Sequence, residues 1–319
     1  MGVFGNLFGY DRREDAPELM SAIERSVSIV EPLLRQTGGY PKDFRKPVAN
    51  ALEYARSLAE RIPGPVVVDR ESYAKNALVH IMFPAIESVD DAICSSLALQ
   101  DYLRRDPATD ELYALMGMRR FEKSLAGMQL SGQMIQRDVV QKVVYFTSHT
   151  LENPALSEQQ ARELVASGFF DCLAGKVKKR IEARKQSKES QLVEKELLMA
   201  RLRNASEQDK PALEEALANI LESIQSTIGS LELSSYVEEF EVVMLNPEQH
   251  LYLDKKTITL DSMGIRRDGG NASRAEEFVF DELIGYDRRD WTVIMVLCKN
   301  MQIETFAERL DKAYRRLVF

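Results

Sequence analysis

The sequence predicts a mainly α-helical chain with a smaller α+β part. A helical N-terminal domain is expected over residues 1–155, a central antiparallel helical hairpin or coiled coil over 156–232, and a C-terminal α+β domain over 233–319, in which a small β-sheet is closed by a helix. Three observations lead there. Apolar residues recur every three or four positions through most of the first hundred residues, which places them on one face of helices. The same spacing returns twice in the middle, at Phe170, Leu173, Val177 and Ile181 and again at Leu213, Leu217, Ile220, Ile224 and Ile228, as in amphipathic helices that pack as a pair. Past Gly229 the pattern turns to alternation: Leu251 and Leu253, then Ile258 and Leu260, sit between polar neighbours, as a half-buried strand requires.

The elements follow in order. Met20, Ile23, Val27 and Val30 mark a first helix, ended by Gly38 and Gly39, with Pro32 stopping or kinking it earlier. A second helix runs from about Phe44 to Arg61 and stops at Pro63 and Gly64. A third begins near Arg70, is broken or kinked at Pro84, and resumes through Ile93, Leu97 and Leu99 until Asp106 and Pro107 close it. Residues 121–147 fit neither period throughout. Ser131-Gly132 suits a hairpin turn and Val139 to Phe146 is rich in β-branched and aromatic residues, so strands inserted in the helical domain are expected there. Asn153-Pro154 marks a boundary, and Ser157 with Gln160 three residues on starts a long helix that ends near Asn204. Pro211 then fits only a first helical turn, so a second, shorter helix folds back. Tyr236 to Leu245 suits either period, strands are expected at 277–284 and 291–298, and Ile303 to Leu317 reads as the closing helix.

Composition bounds the function. At 319 residues, with 45% hydrophobic and 29% charged residues, the chain can build two or three cores. Its net charge of -8 disfavours wholesale binding to a phosphate backbone. Cys94, Cys172 and Cys298 are odd in number and far apart, which fits a reducing compartment. No apolar run approaches the eighteen or so residues of a spanning helix, and no signal core follows the N-terminus. A cytoplasmic protein with no transmembrane segment is expected.

Chemistry-bearing motifs are sparse. His80, His149 and His250 lack a second His or a Cys at metal-ligand offsets, no Gly-x-Ser-x-Gly elbow occurs, and Gly175-Lys176 is followed by Val177 where a phosphate loop needs Ser or Thr. No catalytic residue, metal or cofactor is therefore assigned. Two patches remain as candidate contacts. Lys176, Lys178, Lys179, Arg180, Arg184, Lys185 and Lys188 gather seven cations against Glu182 alone, so a polyanion would find a surface on that helix, although a solvated face neutralised by a neighbour explains it as well. The apolar opening with Phe4, Leu7 and Phe8 either meets a partner or a membrane interface or folds onto the protein's own core.

The expectation is a non-enzymatic interaction or scaffold protein that uses the helical hairpin, with a protein partner or self-association. The alternative is a peripheral binder of nucleic acid or anionic lipid through residues 176–188. An enzyme whose polar residues converge only in the fold is the third class.

Overall fold

The computed structural model describes residues 17–107, 109–131, 134–206, 208–229, 231–267, 275–285, 290–299, 301 and 314. The first part of the chain forms α1 (Pro17–Val30), a 3-10 turn (Pro32–Gln36), α2 (Lys42–Glu60), β1 (Val66–Val68), α3 (Arg70–Lys75), α4 (Ala77–Met82), α5 (Ile86–Ser95) and α6 (Leu97–Arg105). Two long strands follow, β2 (Glu111–Ser131) and β3 (Met134–Ala155), then α7 (Glu158–Arg203), α8 (Lys210–Gly229) and α9 (Leu233–Leu245). β4 (Tyr252–Asp261), β5 (Ala275–Ile284) and β6 (Asp290–Lys299) come last. The expected closing helix and the Phe4, Leu7 and Phe8 segment fall wholly or mainly outside the described residues. Two compact units result, one from Met1–Tyr54 with Phe170–His250 and one from Ala55–Phe169 with Leu251–Phe319.

The first unit is helical. Ile23, Val27, Phe44, Val48, Phe170, Leu173, Val177, Ile181, Phe240 and Val243 are all buried, so the first apolar stripe of α7 is spent in this core. Phe44 meets Phe240 edge to face, ring centroids 5.0 Å apart, and the Asn50 side-chain amide donates to the Met244 carbonyl at 2.9 Å, satisfying a carbonyl that the end of α9 leaves unpaired. The second stripe behaves differently. Of Leu213, Leu217, Ile220, Ile224 and Ile228, only Ile224 is buried, and Ile228 is exposed. The Gln191 amide donates to Ser223 Oγ at 2.8 Å, which sets α7 and α8 side by side at matching distances from the link that joins them.

The second unit is built on a six-stranded sheet in the order β3-β2-β6-β5-β4, with β1 pairing parallel to β6. All other pairings are antiparallel. After β4 the chain turns at Gly264, whose φ of +72° favours glycine, and runs back along β4. Arg266 N then donates to the Lys142 carbonyl and Val144 N to the Gly264 carbonyl, so the sheet curls until its opposite edge, β3, is met. Inside lie Met116, Met118, Phe146, Ile258, Leu260, Phe278, Phe280, Ile294 and Val296 with residues of α3 to α6.

The expected small C-terminal sheet is therefore corrected. The sheet is large: the strands expected as an insertion at 121–147 are present but longer, as β2 and β3, and together with β1 they join the C-terminal strands in one sheet. The physical reason lies in β3. Its three register shifts against β2 each hold one extra residue with positive φ: Asp138 at 61°, Ser148 at 56° and Asn153 at 56°. Every such bulge moves the alternation by one position. Val144 and Phe146 face the core before Ser148, and His149 and Leu151 face it afterwards. A period of two is thus scrambled in the sequence although the strand is continuous.

Candidate functional site

The seven cations expected to form a polyanion patch all lie on α7, and most of them have carboxylates at hand. Arg180 and Arg184 both hold Glu239 of α9, whose side chain is only 8% exposed. Lys185 donates to Glu31 at 2.7 Å and stands 5.6 Å above the Tyr236 ring. That contact pulls the Glu31 carboxyl below its ordinary range, chiefly through the Lys185 hydrogen bond, and raises the Lys185 ammonium, again chiefly through Glu31. Lys178 and Glu182 approach to 4.0 Å one helical turn apart. Burial lowers the affinity of His250 for a proton, with further contributions from Lys176 and Arg180. Lys179 also has an interaction of its own, and Lys188 is half-buried. What the sequence presents as a basic run is thus largely an internal ion-pair system that joins α7 to α9 and to the 3-10 turn. The acids that answer it, Glu31 and Glu239, are distant in sequence, so spacing within the run gave no sign of them.

The distal part of α7 with α8 has another character. The side of α7 that meets α8 carries Gln191 and Lys195, while Val193, 70% exposed, and Leu197, 51% exposed, lie roughly on the opposite side at about 100° per residue. On α8, Leu221 and Ile228 are exposed beside the inner row of Leu217, Ile220 and Ile224. Large apolar side chains on the outside of a two-helix element are the feature most like a contact surface in the first unit.

In the second unit, a cavity of about 350 Å³ is lined by Tyr73, Ile81, Phe83, Tyr145, Phe146 and Met263 among others. His149 sits behind it. Its ring stacks on Phe83 at 4.5 Å, and Nε2 is 2.8 Å from the Met82 carbonyl, so the neutral ring donates there and fastens the end of α4 to β3. Burial lowers its pKa, partly offset by the Met82 hydrogen bond. Cys298 is fully buried in β6 and its thiol is pushed up to about 12 by that burial. Cys94 is half-buried and Cys172 exposed. Among the described residues no three His, Cys, Asp or Glu side chains are grouped so as to hold a metal ion, and no helix is long and apolar enough to cross a membrane.

Sequence reasoning missed Arg162. It is buried near the start of α7 and donates to the carbonyls of Ala59 at 2.7 Å and Ile62 at 3.1 Å while pairing with Glu158 at 2.8 Å. A cation that answers the last carbonyls of α2 also complements the negative end of that helix. Glu158 four residues before Arg162 was the available signal. Compared with known proteins, the chain matches no family model, no curated protein and no solved structure.

Proposed function

We propose that this chain is a non-enzymatic interaction or scaffold protein whose contact surface is the distal part of α7 with α8. One observation carries the proposal: Val193, Leu197, Leu221 and Ile228 stay exposed on a two-helix element that buries only Ile224 of α8. A helix pair with so little buried area gains stability when a partner covers it. The odd number and wide spacing of Cys94, Cys172 and Cys298 agree with a reducing, cytoplasmic location. The polyanion alternative is less well supported, because Arg180, Arg184 and Lys185 already have carboxylate partners.

Light scattering on the purified chain and affinity capture from native lysate, each run beside a Val193→Glu, Leu197→Glu chain, test the proposal. The expected result is a stoichiometric partner, another protein or a second copy, that the substituted chain loses while keeping its helical content. A wild type that captures no other protein and self-associates no more than the substituted chain, or a captured protein retained equally by both chains, overturns it.

A further inference from the structure

The β2–β3 ribbon continues past the point where the sheet closes. Closure is made at Lys142 and Val144 of β3, which pair with Ser124 and Glu122 of β2, so residues 124–131 and 134–141 run on as a two-stranded arm. Eight residues per strand give a length of roughly 26 Å. An isolated hairpin of this kind is marginal in water. Among its described side chains both faces carry exposed apolar residues: Leu125 is 43% exposed, Met128 67% and Val140 72%.

Charge singles out the arm. Ser124 to Gln136 contains thirteen residues without one charged side chain and without proline, in a protein where 29% of residues are charged. Exposed edges are normally blunted by Lys, Pro or a bulge. The two strands differ in this respect. β3 is blunted: Asp138 has φ +61° and forms the bulge opposite Met128, and the strand is capped at 142–144 by residues 264–266. β2 is regular, and past Met118 no described residue pairs with its outer edge.

We propose that a second copy of this chain completes the arm, the outer edge of β2 over 124–131 pairing antiparallel with the same edge of its counterpart about a two-fold axis. Such an interface is self-complementary by symmetry. Two molecules that each carry a net charge of -8 repel, and the uncharged edge lets them meet without opposing like charges. A two-fold through Met128 sets Ala126 opposite Leu130 of the other copy and Gly127 opposite Gln129, as the alternation of a regular strand requires, and each Lys123 lies beyond the other arm's paired stretch. This surface is separate from the α7–α8 surface, so either can fail alone.

Sedimentation equilibrium on the full chain at tens of micromolar tests the arm. The wild type is expected at twice the chain mass of 36.3 kDa, and Ala126→Lys with Met128→Lys at the chain mass itself, with unchanged circular dichroism. If those lysines disturb folding, Met128→Cys in a chain with Cys94 and Cys172 changed to Ser supplies a second reading: the two thiols face each other across the two-fold, and mild oxidation is expected to give a covalent dimer. A wild type that stays monomeric overturns the proposal, as does a dimer that survives both lysines. So does a monomer that floats with phosphatidylserine vesicles through the arm, which assigns the uncharged tip to lipid.

Discussion

His149 and Arg162 show how single polar side chains fasten large elements together. The buried His149 ring has a pKa below the ordinary histidine value of about 6.5, chiefly because burial disfavours its charged form. An unfolded histidine therefore binds protons more readily than the folded one, and stability rises with pH across that range. The contribution is complete above about 6.5 and is lost as pH falls towards the lowered folded value. Urea unfolding followed downward through that window is expected to show a falling midpoint. His149→Phe keeps a ring against Phe83 and should flatten the fall, at a pH-independent cost of about 1 kcal/mol for the undonated Met82 carbonyl. His250, whose pKa is lowered in the same direction, supplies the remaining slope. An unchanged profile in the variant would contradict the assignment. For Arg162, replacement by Met removes the donor of the Ile62 carbonyl and leaves Ala59 O only the 3.3 Å bond from Ile62 N, and equilibrium unfolding should record a loss of about 2–3 kcal/mol. A loss near zero would mean that water takes over both carbonyls.

Among the elements, α7 was readable in the sequence because its signals are local. Ser157 Oγ accepts from Gln160 N at 3.3 Å as the capping offset implies, and the helix ends at Arg203, just before the polar stretch that precedes Pro211. The stretch from Arg70 to Arg105 was read as one interrupted helix and is four short ones. Asp69, Asn76 and Ser96 each accept a backbone N–H at the start of α3, α4 and α6, and such caps look like ordinary surface polar residues when read one at a time. β3 was legible only in part: strands with a turn at Ser131-Gly132 were expected within 121–147 and are present, but the bulges shift the alternation that reading depends on, and among the described residues 137–143 none is buried to mark a core face. The basic run of α7 was legible as charge, whereas its neutralising partners are set by tertiary packing. Glu239→Ala removes the carboxylate that answers Arg180 and Arg184 and should make the chain bind heparin more tightly than the wild type. Salt-gradient elution checks this. If instead the wild type binds strongly and Lys178→Glu with Lys179→Glu abolishes it, the polyanion function returns.

At the scale of the whole molecule, the sequence announced helices, a change of character past Gly229 and the strands at 252–299, but not that distant segments build one sheet. β6 brings Val66–Val68, Glu111–Met118 and Asp290–Lys299 together, a set of contacts that no local pattern encodes. The candidate contact surface was legible as two stripes. Their fates were not: the first is buried in a helical core, and the second is covered only in part. A partner on that surface changes local opening, since a helix pair with few buried side chains opens at low free energy. Hydrogen–deuterium exchange on the purified chain, alone and with its captured partner, tests this most directly. The prediction is rapid exchange over 190–228 in the free chain and marked protection of the same residues in the complex. Rates there that the partner leaves unchanged, with protection appearing elsewhere, would contradict it.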